Sequence, residues 1–149
     1  ARNTFACLIL GAYQVALDRG RWGDDFQKWQ PVPFGWQLQQ VTSKEPDVLL
    51  RDAEAAIRGN LQHRAAAIVQ RYGEQGHPVR PLFDLLLRYA ISEDGALHAE
   101  KYYRTASQEF ASTRPAFRWR QLIALARVTA SAHGYPAPGY TDACRLLKA

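Results

Sequence analysis

The sequence predicts an all-α protein, and three observations carry that prediction. Apolar residues recur at helical spacing along most of the chain, glycine and proline fall between those stretches, and no segment sustains period-two alternation. The Asp94-Gly95 step has hairpin chemistry, but helical patterns flank it rather than β-branched runs. A length of 149 residues fits one domain. The expected architecture is a single domain over residues 1–149, with about six or seven helices packed as antiparallel hairpins, in a bundle or a short helical-repeat array.

The elements follow in order. Phe5 to Arg19 is strongly apolar, and Gly20 is expected to stop that helix. Residues 20–47 form an aromatic and proline-rich loop, interrupted by Gly23, Pro31, Pro33, Gly35 and Pro46. Short helices near Asp24–Trp29 and Gly35–Val41 fit inside it. Pro46 starts the next helix, which runs through Leu49, Ala53, Ala56 and Ile57 to Gly59. Asn60 is a candidate cap for a helix with the apolar face Leu61, Ala65, Ile68, Val69 and Tyr72, ending at Gly73 and Gly76. Pro78 and Pro81 punctuate the connection to a Leu-rich helix, Leu82 to Ile91. A further helix runs from Ala96 to Ser112. Thr113 and Pro115 are the expected N-cap and first-turn proline of the last long helix, Ala116 to His133. That helix is apolar nearly all round, which places it at the centre of a bundle. A short helix, Tyr140 to Leu147, closes the chain.

Gly20, Gly59, Gly95 and Gly134 are spaced by 39, 36 and 39 residues, and Leu-(Leu/Ala)-Arg precedes the last three. Periods of this size suit stacked helical hairpins. Ten glycines also give many chances for coincidence. The clearest part of the pattern is the stretch from Asp47 to Ser112, read as two successive hairpins.

Composition excludes more than it identifies. The hydrophobic fraction of 47% and charged fraction of 22% are those of a globular chain, not a disordered one. Two cysteines, Cys7 and Cys144, make no disulfide framework, and each is expected to be a small buried side chain. No stretch reaches the length of a membrane span. The chain opens on Ala1, which fits either a removed initiator Met or a processed or trimmed piece of something longer, and helical spacing beginning almost at once adds weight to the second. It lacks a secretory leader pattern, so the expected location is the cytoplasm, with a matured exported piece as the alternative. Zinc motifs, a phosphate-binding glycine loop, a dinucleotide fingerprint and a nucleophile elbow are all absent. No metal ligand set is predicted, and the sequence names no cofactor.

Three constellations remain. Asp94, His98 and Tyr102 stand at i, i+4 and i+8, and on one helix they would form a row. A carboxylate against an imidazole is what a general base or metal ligand needs, so these are the candidate catalytic residues. The simpler reading is a capping Asp, a boundary His and a packed Tyr, because one helix supplies no nucleophile or oxyanion donor. Trp22, Phe26, Trp29, Phe34 and Trp36 gather within the loop, either as anchors for a partner or as a lid on the bundle. Arg118 and Arg120 flank Trp119, a pairing able to grip phosphate and stack on a base, yet two residues apart on a helix they diverge. The net charge of +5 is scattered rather than clustered.

The expected function is therefore an interaction or scaffold module, or an accessory subunit, that meets another protein subunit through its aromatic loop. The alternative is a helical-bundle enzyme, metal- or redox-dependent, with its site near His98. A weak nucleic-acid binder acting through scattered Arg is the third class.

Overall fold

The computed structural model describes residues 2–22, 30–95 and 98–148, and every regular element among them is a helix. They are α1 (Arg2–Trp22), α2 (Gly35–Gln39), α3 (Pro46–Arg58), α4 (Gln62–Glu74), α5 (Val79–Ser92), α6 (Ala99–Ser112), α7 (Pro115–Ala132) and α8 (Tyr140–Leu147). The all-α prediction holds. The chain divides into two compact units, Ala1–Pro31 and Val32–Ala149. α1 makes up most of the described part of the first unit, and the other seven helices belong to the second.

Within the second unit α7 packs on α3, α4, α5 and α6, so the helix that is apolar nearly all round does occupy the centre. Its Leu122, Leu125, Ala126 and Ala130 are buried. α4 supplies the broadest facing surface, with Ala65, Ala66, Ala67, Ile68, Val69 and Tyr72 all buried. Alanines on both helices let the backbones approach closely. α3 adds Leu49, Ala53, Ala56 and Ile57, and α5 adds Leu82, Leu85, Leu86 and Tyr89. Full burial of one such Leu or Ile contributes about 1.5–3 kcal/mol. In a stacked repeat each hairpin meets only its neighbours. One helix touching four others makes this a bundle.

An aromatic ladder crosses the layers. Tyr72 of α4 meets Trp119 of α7 at 6.3 Å, and Trp119 meets Phe110 of α6 edge-on at 5.7 Å. Phe110 then meets Phe83 of α5 at 5.5 Å, and Phe83 meets Tyr103 at 6.0 Å. Tyr72 and Trp119 are tilted at 53° and the other pairs are edge-to-face, which adds specificity of orientation to the area they bury.

Several local expectations are corrected. α1 continues through Gly20 to Trp22, because an interior glycine costs only about 1 kcal/mol against Ala and does not by itself end a helix. α5 begins at Val79, with Pro81 inside its first turn, where the missing N–H would have no carbonyl partner in any case. Thr113 closes α6 rather than opening α7, and its hydroxyl bonds the Glu109 carboxylate at 3.1 Å. Asn60 does not cap α4. It adopts a φ of 52°, and its side-chain amide donates to the Ala130 and His133 carbonyls at 2.9 and 2.8 Å. It therefore caps the C-terminus of α7, 70 residues away in sequence. Leu61 stands at the N-cap of α4 with no side-chain hydrogen bond. The four spaced glycines share no common role: Gly20 is helical, Gly59 has a φ of −87°, and Gly95 and Gly134 have φ of 53° and 102°. Cys7 is exposed, Cys144 is half-buried, and both are free. The expected helix near Asp24–Trp29 lies outside the described residues.

Gly73 is where α4 admits the Trp119 ring. A Cβ there would stand 2.5 Å from Trp119 Cδ2 and 2.6 Å from Cε3. Tyr72 and Phe110 both pack on that ring, so it cannot swing away cheaply. Gly73→Ala is expected to lower stability by about 1–3 kcal/mol in urea unfolding, despite its better helix propensity. Combining it with Trp119→Leu is expected to recover part of that loss. An unchanged or raised midpoint for the single variant contradicts the tight contact.

Candidate functional site

The sequence-predicted row of Asp94, His98 and Tyr102 does not assemble along one helix. Asp94 lies before α6, where its N–H bonds the Tyr135 carbonyl at 2.7 Å. His98 is the N-cap of α6 and is exposed, and Tyr102 is 44% exposed with its ring 5.7 Å from the imidazole. His98 and Tyr102 are brought together. Asp94 stands outside α6, and Gly95 after it has a left-handed backbone. Among the described residues no group of three His, Cys, Asp or Glu is placed to hold a metal ion.

The arginines are also separated. The Arg118 guanidinium lies 5.6 Å from the Phe110 ring centre, and Arg114 lies 5.4 Å from that of Phe117. Arg120 is exposed on another face of α7. Two of these cations are thus placed over rings of their own chain.

Of the aromatic segment, Phe26 and Trp29 lie outside the described residues and Trp22 ends α1. Phe34 is half-buried, edge-on to His63 at 6.0 Å, so it packs against the bundle as a lid residue does. Trp36 is 58% exposed and forms one wall of a cleft of about 470 Å³. The other walls are Gln37, Gln40 and Val41 around α2, with Asn60 to Arg64 at the α3–α4 turn. Arg71 positions α2 by donating to the Leu38 carbonyl at 2.9 Å. His77 and Gln75 fix the linker that follows, through the Lys44 and Ser43 carbonyls. Gln37 is only 6% exposed, and its Oε1 accepts from the Phe34 N–H at 2.8 Å.

Two polar clusters lie elsewhere. Glu93 sits at the end of α5, and its carboxylate accepts from the backbone N–H groups of Gly134 and Tyr135 at 3.0 and 2.9 Å. His133 Nδ1 lies 3.1 Å from the same carboxylate. The carbonyls ending α7 are met by the Asn60 amide, not by this imidazole. The second cluster joins α3 to α5. Glu54 accepts from Arg58 at 2.9 Å and Arg88 at 3.5 Å, and Arg58 also bonds the Tyr89 hydroxyl at 3.1 Å. Burial pushes the Glu54 carboxyl up, but the Arg58 hydrogen bond and the Arg88 and Arg58 charges outweigh it and leave it below the usual carboxylate range. Both clusters tie helices together.

Sequence reading missed the cleft residues Gln37, Asn60 and Arg64. One signal was available: Leu61 follows Gly59-Asn60 where a Ser, Thr or Asp cap is usual, which marks a helix start left open. No family model matches the chain, and no curated protein and no solved structure matches it either.

A carboxyl held below its unfolded value stabilises the fold above that value and loses its contribution as pH falls through the folded one. Glu54→Gln is therefore expected to be less stable than the parent near neutrality. The gap should close as pH drops below about 4, where the unfolded carboxyl itself protonates. Denaturant midpoints measured across that range check this, and a gap constant with pH contradicts it.

Proposed function

We propose that the chain is a helical interaction module or accessory subunit whose partner is another protein, with α1 and the aromatic segment leaving it as the partner surface. The observation that supports this most is on α1, where Phe5, Leu8, Ile9, Leu10, Tyr13, Val15 and Leu17 are each 42–69% exposed. Apolar surface this dense is uncommon on a soluble monomer and marks interaction sites.

The pattern also constrains the partner's shape. At 3.6 residues per turn these side chains spread over well more than half of the circumference. Gln14 and Asp18, hydrogen-bonded at 2.9 Å, share the remaining stripe with Asn3 and Cys7. So wide an apolar arc is covered by a groove between at least two elements rather than by a flat face. A helix lying on a membrane surface sets a narrower apolar face against Lys and Arg. The stripe from Asn3 to Asp18 carries no cation. No helix of the described residues is long and apolar enough to cross a membrane.

Photo-crosslinking residues placed at Phe5 and Tyr13 test the reading in the source cells, with Arg104 on α6 as the control site. One second polypeptide should be captured from both α1 sites and not from Arg104. Leu8→Ser combined with Leu17→Ser should reduce that yield about tenfold while the melting of the bundle is unchanged. Crosslinks confined to residues 32–149, to a second copy of the chain or to lipid overturn it.

A further inference from the structure

We infer that the cleft between α2 and the start of α4 binds a small organic oxyanion, a phosphate or carboxylate carried on a flat ring. This does not rest on the reading of α1, because every lining residue belongs to the Val32–Ala149 unit.

The polar side of the cleft is built of donors. α4 starts at Gln62 with no acidic residue in its first turn and no side-chain cap on Leu61. The N–H groups of Leu61 and Gln62 find the Ala56 and Asn60 carbonyls, whereas those of His63 and Arg64 fall where a helix has no carbonyl four residues back. Such N–H groups, at the positive end of the helix dipole, are ready-made anion partners. Arg64 adds a full charge beside them, and it pairs with no carboxylate among the described residues.

Gln37 gives independent support from the opposite wall. Among the described residues it is the polar side chain that is buried, with 6% exposure. The Phe34 N–H occupies its Oε1, which fixes the orientation of the amide and leaves Nε2 as a donor with no acceptor among the described residues. What remains exposed of this residue lines the cleft. That amide keeps a little accessible surface and its orientation is already fixed, so a ligand oxygen can take its N–H without reorganising the residue. No Asp or Glu lines the cleft, so a cationic ligand would meet no counter-charge there.

The remaining walls select the ligand's body. Trp36 and Leu61 are 58% and 52% exposed and offer apolar surface, with the indole able to stack on a ring. The volume of about 470 Å³ lies in the range of small-molecule sites.

The test is a titration of the ¹⁵N-labelled full chain followed by amide correlation spectra, using phenyl phosphate, benzoate, inorganic phosphate and benzyl alcohol as probes. Phenyl phosphate and benzoate should both shift the Gln37 side-chain amide, the Trp36 indole and the His63 and Arg64 backbone amides, saturating below about 10 mM. Inorganic phosphate lacks the ring and benzyl alcohol lacks the charge, so each should bind about tenfold more weakly. Arg64→Gln replaces an exposed side chain, and should weaken phenyl phosphate about tenfold while the rest of the spectrum is retained. Gln37→Leu should weaken it as well, with Arg64→Gln keeping the test intact if that buried variant fails to fold. The inference is overturned by no saturable shift, by shifts centred away from the cleft, by equal binding of benzyl alcohol and phenyl phosphate, or by an Arg64→Gln variant that binds like the parent.

Discussion

The antiparallel seam between α4 and α7 is the contact on which the rest of the bundle depends. Small side chains along its length bring the two backbones close, and two different devices fix its ends. At one end the Asn60 amide reaches across to the carbonyls that close α7. At the other, the absence of a side chain at Gly73 makes room for the Trp119 ring. Sliding one helix along the other breaks the hydrogen bonds at the first end and drives the ring into backbone at the second. Register is therefore specified polar at one end and steric at the other.

The outer helices take their positions from that seam. Trp119 passes the constraint to α6 and α5 through Phe110 and Phe83, each ring meeting the next edge-on. Glu93 then ties the end of α5 to the chain leaving α7, where the Asp94 and Ala137 N–H groups also pair across with Tyr135 and Ser92 carbonyls. The polar side chains of Asn60, Glu93 and Glu54 are joints between helices. Gln37 and the open first turn of α4 differ from them, because both line a cleft.

Helix type, order and the central place of α7 were legible in the sequence because apolar periodicity reports burial directly. Pro46 and Pro115 mark real starts, and Leu82, Leu86 and Tyr89 lie on the buried face that their spacing implies. What was not legible is whatever depends on a distant partner. Asn60 reads as a local cap, yet its acceptors come from residues 130 and 133. His133 is only the end of a helix in the sequence, yet it meets a carboxylate from α5. Asp94 and His98 read as one helical row, yet α6 begins only at Ala99. The cleft was invisible for the same reason: α2 and α4 build it jointly, with a linker between them that periodicity does not describe. The exposed apolar arc of α1 was visible as hydrophobicity, but the pattern alone did not tell a buried helix from an uncovered one.

One feature of the unit structure bears on how this protein can change over time. Every core residue among the described ones lies between Leu49 and Ala130, and none comes from α1. Substitutions along α1 therefore remove no side chain from that core. A lineage of such chains can vary that helix while every core side chain is kept. Selection on the core and selection on α1 act on separate stretches of sequence.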